Sequence, residues 1–442
     1  MTSADLTTIA YNVVFTVGAT ATGVWYTFKH GVKNVMKDLE RESHEDIKVI
    51  KHEVLPNSGG SLNDAIRKQV IPMVEKICKR CIMDMTDPNI VFDENGYCNH
   101  CYNALEQNSK IKVNMAEKNK ELKKIVNLIK KNGKNKRYDC IIGVSGGVDS
   151  TYVAYLVKKL GLKPLAVHLD NGWNSELAIM NIENTLKKLD IDLYTRVLNW
   201  EEFKDLQLSF LKASVPDLEI PTDHAIIATL YEVAHKFGIK YIISGHNIIT
   251  ESIGVPMWSN GHYDWKYISG LQKKFGNIKL LDYPKMTPLN IFYYQFIKDI
   301  KMIRILNYAD YDKKRVVELI EKEFSWKDYP TKHGESIYTH FIQSYILPEK
   351  FGYDKRKCHL SNLICSEQIT RAEALGQFKK PLFTPQELEE LINYSCDKLE
   401  ISRKEFESLM KLPNKSYYDY PSYENSKFYK FLRETYKKIR VY

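Results

Sequence analysis

Short apolar runs alternate with segments of helical spacing from residue 137 onward. The runs predict a buried strand over residues 138–144 and further strands over residues 165–169, 193–198 and 241–244. Between them, spacing of three and four residues predicts helices over residues 148–160, 176–189 and 223–237. Such alternation predicts an α/β fold, a parallel sheet with helices on both faces. Ligands bind beyond the carboxyl ends of such strands, which directs attention to Ser145, Asp170 and Gly245.

The chain divides by pattern into four parts. We expect an amino-terminal helix and linker over 1–75, a metal ribbon over 76–110, the nucleotide-binding sheet over 111–310, and a mainly helical region over 311–442. Residues 6–28 carry no charge and are long enough to span a bilayer, and lysines follow them. Two interpretations stay open: a membrane anchor, or a threonine-rich helix packed against protein. The expected location is the cytoplasm, at the membrane face if residues 6–28 insert.

Composition narrows the class of protein. A hydrophobic share of 44% and a charged share of 27% exclude wholesale disorder and a multi-span membrane protein. The net charge of +9 suits an anionic partner such as a nucleotide, a sugar nucleotide, RNA or anionic lipid. Much of the excess lies over residues 110–137, where Leu122, Val126 and Ile129 have helical spacing. A solvated helix face is favoured over an RNA-binding strip, so nucleic acid is not the expected partner.

Four of the eight cysteines form two tight pairs ahead of the sheet. Cys78 and Cys81 make one C-x2-C pair, and Cys98 and Cys101 make the other. Two such pairs complete a closed tetrahedral thiolate site, which predicts a structural Zn²⁺ in a ribbon. An iron–sulfur centre is the competing interpretation, but nothing else in the sequence indicates redox chemistry.

A glycine turn follows the first predicted strand and opens the first helix. It runs Ser145, Gly146, Gly147, Val148, Asp149 and Ser150. The glycines let backbone N–H groups approach an anion, and the helix amino terminus favours negative charge. The serines add hydroxyl donors, and the Asp149 carboxylate is placed to bind Mg²⁺ on a pyrophosphate. No G-K-[ST] ending is present, so this is not a Walker loop.

The run S-G-G-V-D-S at 145–150 resembles the signature of the PP-loop ATPase superfamily, whose members split ATP between the α and β phosphates. Further stretches resemble the N-acetyl sugar amidotransferase family of surface-polysaccharide (lipopolysaccharide) biosynthesis. They are P-T-D-H-A at 221–225, S-G-H-N at 244–247, K-H-G-E-S at 332–336 and L-P-E-K-F-G at 347–352. The resemblance covers residues 77–380 or so and leaves both ends of the chain outside it.

This resemblance implies a function. Members are thought to adenylate the N-acetyl group of a sugar or sugar nucleotide and convert it to an acetamidino group. Ammonia would come from a separate glutaminase resembling that of imidazole glycerol phosphate synthase, with ATP, Mg²⁺ and Zn²⁺ as cofactors. The expected catalytic residues are Asp149, Glu251, Lys332, His333 and Glu335. The expected nucleotide-binding residues are Ser145, Gly146, Gly147, Asp149, Ser150, Asp170 and Gly245.

Two rival functions stay open. A tRNA-thiolating PP-loop enzyme also has metal knuckles and a basic surface, but thiolation generally needs cysteines near the adenylate. The remaining ones, Cys140, Cys358, Cys365 and Cys396, form no C-x2-C pair. A non-catalytic scaffold predicts a damaged phosphate loop, whereas every residue of the motif is present. No G-x-C-x-G elbow occurs, so we expect no glutaminase activity in this chain.

Overall fold

A computed structural model of the protein describes residues 76–111, 115–329, 334–426 and 429. All of these residues belong to one compact unit, Met73–Tyr442. The candidate anchor at 6–28 lies outside them. Within the described ranges, no helix is both long enough and apolar enough to cross a membrane.

Five parallel strands form the sheet, in the spatial order β3-β2-β1-β4-β5. They are β1 (Cys140–Gly143), β2 (Pro164–Asp170), β3 (Leu193–Val197), β4 (Tyr241–Ser244) and β5 (Lys301–Arg304). The predicted parallel α/β sheet is confirmed. The fifth strand has no counterpart among the predicted strands, because it is an edge strand with exposed ends rather than an apolar run.

Alternate residues of the central strands face opposite sides of the sheet. Cys140 and Ile142 pack with one buried cluster, and Ile141 packs with another. In register, Ile141 lies beside Leu165 of β2 and Ile242 of β4. Both faces of the sheet are therefore buried at its central strands, as the unbroken apolar run of β1 predicts.

Helices cover both faces and continue the connections between strands. The helices before β5 are α1 (Asn99–Ile111), α2 (Met115–Asn132), α3 (Val148–Lys159), α4 (Glu176–Leu189), α5 (Trp200–Ala213), α6 (Ile220–Lys236), α7 (Ile248–Glu251), α8 (Trp265–Phe275) and α9 (Pro288–Phe292), which continues as a π-helical turn to Ile297. In α2, Leu122, Val126 and Ile129 are buried, as their spacing predicts. Helix α6 begins before the predicted residue 223, since Pro221 fits the first turn, where no N–H is needed.

The remainder of the described chain is helical, as predicted for the carboxyl-terminal region. Its helices are α10 (Lys313–Phe324), α11 (Ile337–Phe341, continuing as a π-helix to Phe351), α12 (Lys355–Cys365), α13 (Arg371–Phe378), α14 (Pro385–Leu399) and α15 (Arg403–Met410). Capping boxes begin α13, α14 and α15, with Thr370, Thr384 and Ser402 as the N-caps. Each box satisfies two N–H groups that would otherwise lack partners at the start of a helix.

The cysteine ribbon packs against α12 and α13, although almost the whole sheet separates them in sequence. The Ile82 amide donates to Ser361 Oγ at 3.2 Å. The Arg371 guanidinium donates to the carbonyl oxygens of Cys81, at 3.0 Å, and Cys78, at 3.1 Å. An ion pair joins Asp84 to Lys357. The ribbon is therefore part of the carboxyl-terminal helical body.

Candidate active site and metal centre

The glycine turn lies at the switch point of the sheet. Strand β1 has β2 on one side and β4 on the other, so the connections after β1 and before β4 run in opposite directions. Crevices at such points bind ligands in α/β proteins. A Cβ added to Gly245, just after β4, would lie 3.4 Å from Asp149 Cβ. The predicted residues of the two strand ends therefore come together.

The turn has the geometry of a phosphate loop. Gly146 has φ of +84°, and a Cβ there would meet the Ala178 carbonyl oxygen at 2.7 Å. Gly147 caps α3 without a side chain over the helix end. The N–H groups at this end have no side-chain cap to compete with an anion. Ser145 Oγ and Ser150 Oγ lie 3.3 Å apart beside them.

Two residues far along the chain, Trp326 and Tyr329, hydrogen-bond to the glycine turn. Trp326 Nε1 and the Tyr329 hydroxyl both donate to the Gly146 carbonyl oxygen, at 2.8 Å and 3.0 Å. Asn181 of α4 donates to the Tyr329 hydroxyl at 3.1 Å. The loop backbone is therefore held in place through the Gly146 carbonyl by two remote side chains. Sequence reasoning missed Trp326 and Tyr329, because nothing local to either residue points to a loop far away in the chain.

Two of the predicted carboxylates flank one buried tyrosine. The Tyr311 hydroxyl donates to Asp149 Oδ1. Burial first, and then the charge of Asp149 and that of Glu251, hold the pKa of Tyr311 far above its usual range. Tyr311 therefore stays protonated and keeps donating. Carboxylate oxygens are the ligands that Mg²⁺ prefers, so Asp149 and Glu251 fit the expected cation.

Glu335 lies on the other side of the loop. A Cβ on Gly147 would meet Glu335 Oε1 at 3.2 Å. The Ser175 amide donates to the Glu335 carbonyl oxygen at 2.9 Å, which fixes this segment just after β2. Asp170 ends β2 and accepts from the Gly172 amide at 2.9 Å. Lys332 and His333 lie outside the described residues, so their predicted roles stay predictions.

A cavity of about 690 Å³ opens beside Asp149. Its opposite wall comes from the carboxyl-terminal helices and is rich in basic side chains, namely Lys313, Lys355, Arg356, His359 and Lys380. Lys355 pairs with Glu219 at 2.7 Å, and Arg356 pairs with Asp354 at 2.7 Å. Lys313 and Lys380 form no ion pair within the described part of the chain. The wall therefore has positive charge left for an anionic ligand.

The 221–225 stretch reaches the same edge of the sheet. Thr222 Oγ1 accepts from Asn171 Nδ2 at 3.2 Å, next to Asp170. His224 is buried, and burial lowers its pKa to about 4. This imidazole is neutral, accepts from the Met286 amide at 2.9 Å and has a structural role.

The four predicted cysteines form one buried cluster in the ribbon. Their Sγ atoms all lie within 4.8 Å of one another. The distance is 3.7 Å for Cys78 to Cys101, 3.7 Å for Cys81 to Cys98 and 3.6 Å for Cys98 to Cys101. Zn–S bonds of about 2.3 Å place tetrahedral sulfurs about 3.8 Å apart, so the cluster fits zinc. The Arg80, Cys81 and Cys98 amides point at Cys78 Sγ, at 3.3–3.5 Å, and would support a thiolate.

Residues 335–436 match the family model described as "LPS biosynthesis protein WbpG-like, C-terminal domain". The matched span begins at Glu335 beside the phosphate loop and includes every basic residue of the cavity wall except Lys313. The carboxyl-terminal region is therefore WbpG-like, and the predicted link to surface-polysaccharide proteins is confirmed at this level.

The chain is also similar, at low sequence identity, to one characterised enzyme and to two solved structures. The chain is 27% identical over 114 residues to the tRNA-specific 2-thiouridylase MnmA 2 of Fusobacterium nucleatum, a segment covering 24% of this chain and 33% of that relative. The solved NH3-dependent NAD synthetase of Campylobacter jejuni is 16% identical, covering 47% of this chain and 93% of that one, with a TM-score of 0.25. The NMN synthetase of Francisella tularensis is 17% identical, covering 52% and 92%, also with a TM-score of 0.25.

Proposed function

We propose that this WbpG-like PP-loop protein is an ATP-dependent amidotransferase that converts the N-acetyl group of an anionic sugar or sugar nucleotide into an acetamidino group. ATP would transfer AMP to the amide oxygen, and ammonia would then displace the AMP. The observation that carries the proposal is the cavity of about 690 Å³, which joins Asp149 of the phosphate loop to a basic wall built from Lys313 and from residues of the WbpG-like region.

The chemistry explains why an amide substrate needs ATP. An amide carbonyl is a poor electrophile, and its oxygen leaves only after conversion to an ester of a good leaving group. The protein must hold the α-phosphate in line with that oxygen and stabilise the charge that develops. The N–H group of Gly146 and those of the first turn of α3, which lacks a side-chain cap, suit the outer phosphates. Lys313, at the edge of the same cavity, suits charge on the transferred group.

Mg²⁺ would supply charge neutralisation on the phosphates when bound at Asp149 and Glu251. The Tyr311 hydroxyl keeps Asp149 oriented toward the cavity. Glu335 lies against Gly147, where its carboxylate would be a further ligand for the cation on the phosphates. The Zn²⁺ of the ribbon would have a structural role, since four thiolates leave no open position.

The similarity to a tRNA 2-thiouridylase gives the second candidate, tRNA thiolation. All eight cysteines of this chain are buried, and none lines the cavity. Thiolation by a persulfide needs an accessible thiol near the activated base. The amidotransferase is therefore the better supported function. Ammonia would come from a partner glutaminase, because the chain offers no nucleophile elbow of its own.

The test is incubation of purified protein with ATP, Mg²⁺, ammonium and a panel of acetamido sugars and sugar nucleotides. We expect AMP and pyrophosphate together with a product ~1 Da lighter, as oxygen is replaced by NH. Glutamine alone should support turnover only after a glutaminase is added. Production of ADP and orthophosphate without AMP would refute the proposal, and sulfur transfer to tRNA would favour the second candidate.

A further inference from the structure

Asp223 and His262 form an exposed pair at the start of α6. His262 Nε2 lies 3.3 Å from Asp223 Oδ2, and the two side chains are 40% and 41% exposed. The Ser259 hydroxyl lies 3.5 Å from the same nitrogen. Because Nε2 faces the Asp223 carboxylate, we assign the proton of the neutral imidazole to Nε2. Within the described residues, His262 Nδ1 has no hydrogen-bond partner.

The loop that presents His262 is fixed at several points. His224 Nδ1 donates to the His262 carbonyl oxygen at 2.8 Å, so adjacent residues of α6 hold both the backbone and the ring of His262. The Asn260 amide donates to buried Asp217 at 2.5 Å. Gly261 has φ of +95°, which makes the tight turn between them. The backbone that presents His262 is therefore fixed, as the support of a functional side chain requires.

The pair lies at the active edge of the sheet. Helix α6 leads into β4 and runs opposite to the parallel strands, so its amino terminus lies where the strands end. Thr222, next to Asp223, is bonded to Asn171 just beyond β2. Four residues earlier, Glu219 pairs with Lys355 of the cavity wall.

The charges around the imidazole favour a base. The titratable groups facing it are Asp223, Asp217, Lys355 and neutral His224. Burial lowers the pKa of His262, but the hydrogen bond and charge of Asp223 outweigh burial and raise it overall. A carboxylate that holds one ring N–H and stabilises the imidazolium strengthens the other nitrogen as a proton acceptor.

We propose that Asp223 and His262 form a catalytic dyad in which His262 Nδ1 deprotonates the incoming nitrogen. The proposal rests on the amidotransferase function. His262 takes one proton from ammonium, and the freed lone pair forms the C–N bond to the adenylated carbon. The C–O bond then breaks, and AMP leaves with its electron pair. Two of the four ammonium protons stay on the amidinium product. One of the other two leaves through the imidazole before attack, and the last passes directly to water after attack, when the nitrogen is much more acidic.

The test separates the two half-reactions in the variants His262→Gln and Asp223→Asn. The nucleotide half is followed by substrate-dependent exchange of pyrophosphate into ATP, and the nitrogen half by acetamidino product. We expect near wild-type exchange, with product formation from ammonium reduced ~100-fold or more, within the range for a lost general base. Hydroxylamine is already neutral at neutral pH, so it should restore most of the rate in both variants.

The matched control is His235→Gln, at the other end of α6 beside Tyr293. It should keep full activity with either nucleophile. Equal losses with ammonium and hydroxylamine, or a loss of exchange, would overturn the dyad and assign the pair a structural role. If wild-type protein makes no AMP with any acetamido sugar, the function itself fails. If wild type turns over and His262→Gln matches it, only the dyad fails.

Discussion

Tyr311→Phe removes one hydroxyl from the candidate site and little else. Tyr311 is 4% exposed, and its ring packs near that of Tyr152, with centroids 5.9 Å apart. Phenylalanine keeps this packing and loses only the hydrogen bond to Asp149. Without the donor, the carboxylate can rotate away from the orientation in which it would hold Mg²⁺.

The size of the effect follows from the kind of hydrogen bond. A bond to a charged acceptor contributes about 1.5–3 kcal/mol, which corresponds to roughly 10- to 100-fold in rate. Asp149 is only partly buried, and water can replace part of the lost interaction, so we expect the lower half of that range. Because burial and Asp149 keep the pKa of Tyr311 raised, the ratio of variant to wild-type rates should be constant across neutral pH.

The assay measures AMP formation against ATP concentration, with binding of a nonhydrolysable ATP analogue as a second readout. We expect kcat/KM for ATP to fall about tenfold or more, with little change in melting temperature. Tyr152→Phe is the matched control, because within the described chain the Tyr152 hydroxyl makes no hydrogen bond. Unchanged kcat/KM in Tyr311→Phe, or an equal loss in the control, would refute the assigned role of Tyr311.

Three further substitutions test other parts of the structure. Gly146→Ala should abolish ATP binding, because a Cβ would meet the Ala178 carbonyl oxygen at 2.7 Å. The control is Gly352→Ala, where φ is +72° but the space is open, and it should lose only about 1–2 kcal/mol of stability. Equal ATP binding in both variants would contradict the loop geometry. Asp149→Asn should stop pyrophosphate release while the circular dichroism spectrum stays native, and unchanged release would remove Asp149 from the site. Cys81→Ser should lower the zinc content and the melting temperature, measured by metal analysis and thermal unfolding. The control Cys396→Ser, at a buried cysteine outside the cluster, should keep its zinc. A Cys81→Ser variant with full zinc content would show that the cluster is misassigned.

The central strands were predictable because each is a short buried apolar run, and β3 was predicted from its place in the alternation although its side chains are exposed or half-buried. Strand β4 matches the predicted residues 241–244, and β1 and β2 differ only at their ends. Strand β5 was not predicted, because its exposed ends Lys301 and Arg304 leave only two apolar residues between them. Its pairing with β4 depends on the fold and not on its own composition.

Helix α5 was not predicted because several of its polar residues are buried. Glu202 accepts from the Asp282 and Tyr283 amides, and Asp205 accepts from the Asn277 and Ile278 amides at 2.7 Å and 2.8 Å. These carboxylates satisfy the backbone of a remote loop. Apolar spacing places charged residues on the exposed face of a helix, so the buried face of α5 cannot be identified from it.

The phosphate loop was predictable because its chemistry is local. Backbone N–H groups, glycines and a carboxylate within six residues are enough to indicate anion binding. Its supports are not local: Tyr311 and Trp326 lie 162 and 180 residues from the groups they bond. Only the fold brings His262 to Asp223, and no spacing in the sequence indicates that pair.

The position of the ribbon indicates what a metal bound at its four cysteines would hold in place. Helix α1 begins in the ribbon at Asn99 and packs against both α7 and α12. From α12, Asn362 accepts from Ser252 Oγ and the Ile253 amide, at 2.8 Å and 2.7 Å, directly after Glu251. The same helix begins with Lys355, in the basic wall of the cavity. Metal binding that fixes the ribbon therefore also fixes the carboxylate side and the cationic side of the cavity, since both depend on the position of α12.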